Sequence, residues 1–333
     1  MRLASLAFAL LALAALAGCH STASPQCGAC PVSYSCGSAN GLAVCRRPSG
    51  VPLLKHVFLI MMENTSLTTL QASTRAPYLA SLAAKGAVST NYHGVAHPSL
   101  PNYLALTSGS TQGVSCDCSP AGPHCTSTCS ESCACNIGTS HLGDQLESAG
   151  LTWRAYGEDM GTACNMAAAN LYAPKHVPFL YYDNVQTNAA RCGAHVVDFA
   201  ANFATDLAAA PSFVFIAPNL ENDMHNLHSE KDKNIASGDT WLSKVVPQIL
   251  ASAAYQDGGV LVIAWDEDDF SGLVAVDDPV PFYLLSPYAK AGFSSTVRAD
   301  HYSLLATIAE GLRLAPLIGA STATTLGELF AAQ

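Results

Sequence analysis

The chain has 333 residues, half of them apolar and 12% charged, with a formal net charge of -10. This length allows one large domain or two ordinary ones, and the apolar content excludes a disordered chain. The acidic balance argues against a nucleic-acid partner, which calls for a basic face, but leaves anionic substrates open because a metal ion can reverse the sign of a site.

The first element is a targeting segment. Arg2 precedes the apolar run 3–16, and Ala17-Gly18-Cys19 follows. The run is shorter than the roughly 20 residues of a membrane span. A positive start, an apolar stretch and small residues before a cut site read as a signal peptide over residues 1–18. Leu16-Ala17-Gly18-Cys19 resembles a bacterial lipobox, which implies lipidation of Cys19 and attachment to a membrane. His20 follows Cys19 where an inner-membrane lipoprotein often carries Asp, so the outer membrane or cell surface is expected.

There are 13 cysteines, and setting Cys19 aside leaves 12 that can pair completely in an oxidising compartment. Four of them fall in residues 19–50, a Gly- and Ser-containing stretch with little apolar periodicity, which reads as a small disulfide-stapled module or stalk. From Val51 onward, over 51–333, the pattern is α/β. The run 56–62 (HVFLIMM) is apolar throughout, as in a strand covered on both faces. Helices are expected over 77–85, ending at Gly86, over 100–106 with Pro101 in the first turn, and over 140–148, opened by Ser140 and closed by Gly150. Buried strands follow at 213–216 and 260–265. Between them, 239–255 reads as a helix that Pro247 kinks. A strand at 280–285 and a helix at 302–312 complete the series. Strands alternating with helices predict a mostly parallel sheet with helices on both faces. Residues 115–136 interrupt it with six Cys and His124, which suits either a zinc cluster or an insertion loop tied by up to three disulfides. Export favours the loop.

Polar residues collect just after the predicted strands, where open α/β sheets place their ligands. Glu63-Asn64 follows the first strand, Asn219, Asp223 and His225 follow 213–216, and Asp266-Glu267-Asp268-Asp269 follows 260–265. These carboxylates suit a hard cation such as Ca²⁺, Mg²⁺ or Mn²⁺, and nearby His also admits Zn²⁺ or Fe. Ser99 precedes a predicted helix in HPSLPNY. It reads either as an ordinary N-cap or as a nucleophile that the helix N-terminus assists against phosphorus. His225 and His301 stand at loop-to-helix or strand-exit positions, where either can protonate a leaving oxygen or hold a phosphoryl oxygen.

Six blocks, KHVFLIMMENTS, NYHGVAHPSLPNYLALTSGS, PNLENDMH, GDTWL, LVIAWDEDD and HYSLLATIAEGL, occur in an order that resembles the phosphoesterase family of bacterial acid phosphatases and phospholipases C, within the alkaline-phosphatase-like superfamily. The resemblance spans about Lys55 to Leu314 and implies an α/β/α sandwich with a divalent metal site. It places Glu63, Asn64, Asp266 and Glu267 as metal and phosphate ligands. Ser99 falls at the nucleophile, sharing the metal, and Asn102, Asp223, His225, His301 and His97 lie near the phosphoryl or leaving group. The implied reaction is metal-dependent hydrolysis of phosphate monoesters through a phosphoserine. The alternatives are a phosphodiesterase or phospholipase C acting on lipid headgroups, and a non-enzymatic lipid-anchored surface protein. The chain ends soon after the last predicted helix with no evident lipid-binding domain, which tilts the expectation to monoesters or small diesters.

Overall fold

The computed structural model describes residues 26–125, 129–209, 211–269 and 278–331, so the signal segment and Cys19 lie outside the described residues. Strands β1 (Ser35–Ala39) and β2 (Leu42–Arg46) form a hairpin closed by Asn40-Gly41, both with positive φ, as a two-residue hairpin turn requires. Asn40 anchors this module to the main body by donating its amide to the carbonyls of Pro287 and Ala289.

The main sheet is built from β3 (His56–Met62), β4 (Ala87–His93), β6 (Trp153–Gly157), β7 (Val196–Asp198), β8 (Phe213–Ala217), β9 (Gly259–Trp265), β10 (Val280–Leu285), β11 (Phe293–Ser295) and β12 (Ala299–Asp300), while β5 (Ser119–His124) lies in the Cys-rich insertion. Its order is β11-β4-β10-β9-β3-β8-β6-β7, with β12 also paired to β4. Every pairing is parallel except those of β10 with β4 and β9. Each residue of β9, and each of β3 after His56, is buried. Strands that meet helices on both faces have no solvated side to carry polar residues. The Pro77–Ala83 helix packs on the Lys231–Ala251 helix, and the Ser99–Ser108 helix packs on the His301–Gly311 helix.

Several boundaries differ from the sequence expectation. The helix expected over 239–255 begins at Lys231, runs unbroken through Pro247 to Ala251, and stops at Ser252, whose hydroxyl caps the next short helix. The helix expected to open at Ser140 spans Leu142–Ser148 and is capped by His141, whose ring nitrogen accepts the Gly143 N–H. Strands β4, β6 and β7 carried no legible signal, because polar residues interrupt the first and the others are short.

All 12 cysteines from Cys27 onward are bridged: Cys27–Cys36, Cys30–Cys45, Cys116–Cys129, Cys118–Cys135, Cys125–Cys133 and Cys164–Cys192. Sulfurs bonded to each other are not thiolate ligands, so the insertion is the disulfide-tied loop and not a zinc cluster.

Candidate active site

Four segments meet at the carboxyl ends of β3, β4, β8 and β9. Met62 and Trp265 are register partners, so Glu63 and Asp266 leave the sheet side by side, and the Asp266 N–H donates to Met62 O at 3.1 Å. The Glu63 N–H donates to Asp223 O at 2.8 Å, which joins the loop after β8. Asn64 adopts φ +34°, a left-handed conformation that Asn tolerates. Its N–H then donates to Asp266 Oδ1 at 3.0 Å and its amide to Glu267 Oε1 at 2.7 Å. Glu63, Asp223 and Asp266 are fully buried and Glu267 is nearly so.

After β4 the chain turns tightly past this cluster. A Cβ on Gly94 would lie 2.8 Å from Asp266 O, so only glycine fits that approach. Pro98 follows a cis peptide and occupies the N-cap position without a side-chain cap. Ser99 is therefore the first helical residue, and its hydroxyl does not cap the helix. It donates instead toward Glu63 Oε2 at 3.0 Å and Glu267 Oε1 at 3.2 Å. The N–H of Leu100 is met by Asp117 Oδ1 from the Cys-rich insertion at 3.0 Å.

Crowding these carboxylates out of water disfavours their charges. Burial first, then Asp266 and Asp223, push Glu63 well above its ordinary range. Burial and then Glu267 do the same to Asp266, and burial lifts Asp223 to about 7. Among the described residues, Asn64 Oδ1 and Asp266 Oδ2 are buried without a hydrogen-bond partner. Buried carboxylates left uncompensated are costly. A donor set of carboxylate oxygens, one amide oxygen and one hydroxyl is the chemistry a hard divalent cation takes, so the residues fit such an ion.

The other expected residues divide into two groups. His97 is exposed, with Nδ1 2.5 Å from Glu267 Oε2 and Nε2 3.4 Å from Asp268 Oδ1, and it lines a cavity of about 340 Å³ together with Glu267. Its hydrogen bond to Glu267 holds its pKa above the ordinary imidazole value. The His225 backbone N–H donates to Asp223 Oδ1, and the residue lines a second cavity. Burial, then Lys231 and Lys175, lower its imidazole pKa to about 4. By contrast, His301 is fully buried with both nitrogens engaged. Its Nε2–H donates to the Asp266 carbonyl at 2.6 Å, and its Nδ1 accepts the Tyr92 hydroxyl at 2.8 Å. Asn102 is likewise committed, accepting from the N–H groups of Val95 and Ala96 and donating to Ala96 O. His301 and Asn102, expected near the phosphoryl or leaving group, hydrogen-bond in this structure to the backbone around Asp266 and before Ser99. Asp269 is also structural, accepting from the Ser66 N–H and the Thr69 hydroxyl.

Sequence reasoning missed His176, Tyr103, Asp117 and Lys231. His176 is buried, stacks on Tyr103, and brings Nε2 within 3.2 Å of Glu63 Oε1, while the Tyr103 hydroxyl donates to the same oxygen. Lys231 ties three carbonyls, those of Asn64, Met224 and His225, and so pins the β3 and β8 loops together. His176 sits in a segment without periodicity, so only its place in the apolar-rich stretch 172–182 hinted at burial.

Fold and site together define an α/β enzyme in which a serine hydroxyl stands among buried carboxylates. A model of the Phosphoesterase family matches residues 67–315. The phosphatidylinositol-3-phosphatase of Mycobacterium tuberculosis is 33% identical over 264 residues, covering 78% of this chain and 77% of that protein. An acid phosphatase of Aspergillus fumigatus is 27% identical over 264 residues, 75% of this chain and 53% of that protein, so the chain spans about half the length of this fungal relative. Among solved structures, a protein of the alkaline phosphatase superfamily from Vibrio parahaemolyticus superposes with TM-score 0.54 at 14% identity, covering 85% of this chain and 70% of that one. A phosphonate monoester hydrolase from Silicibacter pomeroyi gives 0.51 at 12% identity, covering 82% and 76%. The chain belongs to the phosphoesterase family, with an alkaline-phosphatase-like fold, and is a phosphoric ester hydrolase. Among the described residues, no helix is long and apolar enough to cross a membrane.

Proposed function

We propose that the protein hydrolyses phosphate monoesters through a phosphoserine formed on Ser99, at a site that takes a divalent cation. The observation that carries this reading is the direction of Ser99 Oγ, turned away from its own helix and between Glu63 and Glu267. A cation held by Glu63, Asn64, Asp266 and Glu267 would supply positive charge for the phosphoryl oxygens and acidify the serine hydroxyl.

Glu63 and Glu267 are placed to receive the Ser99 proton. The Oγ–P bond forms as the bond to the leaving oxygen breaks in line, and the alcohol departs with a proton. Water then cleaves the Oγ–P bond, releasing phosphate and restoring the hydroxyl. The dipole of the Ser99–Ser108 helix favours negative charge on the group in transfer. His97, open to its cavity, contacts the leaving or phosphoryl oxygen, and His225 offers a neutral hydrogen-bonding ring from the other side. His176 and Tyr103 orient Glu63, and His301 orients the backbone of Asp266. Asp223, whose carbonyl and carboxylate hold Glu63 and His225, supports the cluster from below.

Six disulfides persist in an oxidising compartment, which supports export. Lipidation at Cys19 is part of the same proposal. Metabolic labelling with a palmitate analogue tests it, and equal labelling of Cys19→Ala rejects it. The reaction is tested with p-nitrophenyl phosphate, bis-p-nitrophenyl phosphate and phosphatidylcholine, each with and without chelator. Hydrolysis of the first, lost with chelator and restored by one divalent metal, is expected. Faster cleavage of either diester overturns the monoester reading, and indifference to exhaustive chelation overturns the cation.

A further inference from the structure

A cavity of about 440 Å³ is lined by Asp117 and Glu131 of the Cys-rich insertion together with Lys175 and His225. That size lies within the roughly 300–1,000 Å³ of small-ligand sites. Asp117 joins it to the catalytic helix: one carboxylate oxygen accepts the Leu100 N–H, next to Ser99, and the other accepts Lys175 Nζ at 2.6 Å. Asp117 stands between Cys116 and Cys118, each locked in a disulfide, so its backbone is fixed on both sides. His225 and Tyr172 also line the cavity.

The charges of the lining select its occupant. Its one lysine, Lys175, is already matched by Asp117 and approached at 3.5 Å by Glu131. Burial, acting first, would lower Lys175, but Asp117 outweighs it and holds the ammonium above its ordinary range. One cation against two carboxylates leaves the cavity net negative and unsuited to a second anion. The remaining groups suit an uncharged, hydroxylated skeleton. Glu131 and the exposed amide of Asn170 offer acceptors at the rim, and Tyr172, whose hydroxyl is bound to Asn165 O, adds ring surface.

We propose that this cavity is the leaving-group subsite, and that it favours neutral, hydroxyl-bearing leaving groups over anionic ones. The inference rests on the monoesterase reading, and it gives the Cys-rich insertion a role in substrate choice. Glycerol 3-phosphate and 3-phosphoglycerate test it directly, because they share a three-carbon skeleton and differ by one carboxylate. The wild-type protein, assayed with its metal, should show kcat/KM at least tenfold higher for glycerol 3-phosphate. Glu131→Lys reverses an exposed charge and should narrow that ratio at least threefold, with Glu131→Gln in between. A wild-type ratio near one overturns the selectivity. A ratio that neither variant moves, with p-nitrophenyl phosphate still turned over, overturns the location alone. Failure of the wild type on all three monoesters overturns the monoesterase reading and the subsite with it.

Discussion

His141 limits how far this fold tolerates acid. Its imidazole caps the Leu142–Ser148 helix: Nδ1 accepts the Gly143 N–H at 3.0 Å, so Nε2 carries the proton and donates to Asn184 Oδ1 at 3.1 Å. The ring is buried, stacked on Tyr182, and burial lowers its pKa from 6.5 to about 4. A second proton would sit on Nδ1 and destroy the cap. The unfolded chain takes that proton near pH 6.5 and the folded one only near 4, so this contribution is intact above 6.5 and is lost as the pH falls between the two. At about 1.36 kcal/mol per unit, the gap amounts to roughly 3 kcal/mol once the pH is below both values, and about 2 kcal/mol of it is gone by pH 5. Urea titrations at pH 7 and pH 5 measure it against His141→Asn, which keeps a side-chain acceptor at the N-cap but does not titrate. The variant loses packing at both pH values, so the readout is the difference between them. That difference should be about 2 kcal/mol smaller in the variant. Equal pH dependence in the two proteins refutes the reasoning.

Three further outcomes follow from the site. Ser99→Ala should lower kcat on p-nitrophenyl phosphate by at least about a thousandfold, which is about 4 kcal/mol of barrier. Its melting temperature should stay close to wild type, since Oγ caps nothing; retained turnover with a lower melting temperature would restore the N-cap reading. Glu63→Gln and Asp266→Asn should each reduce the divalent metal retained after dialysis, read by elemental analysis, and wild-type metal content in both would remove them as ligands. Asp117→Ala leaves Lys175 without its nearest partner and Leu100 N–H without its acceptor, and should cost roughly 3 kcal/mol in chemical denaturation. Asp117→Asn keeps the acceptor for Leu100 and should recover part of that loss.

The sequence by itself determined the sheet's centre and the donors that leave it. β3 and β9 are apolar at nearly every position because both faces are covered, and such a run is visible without knowing what covers it. Glu63-Asn64 and Asp266-Glu267 follow these runs directly, so the neighbouring register of two parallel strands brings them together. Tertiary structure alone decided the direction of the Ser99 hydroxyl, which local sequence by itself favoured as a helix cap. It also decided that His301 and Asn102 face inward onto backbone, and that His176 and Asp117, from segments without periodicity, reach the cluster. Cysteine number showed that complete pairing was open to the chain, but the partners depended on which loops the sheet drew together. Periodicity records which face of an element is buried; it does not record which distant segment arrives to meet it.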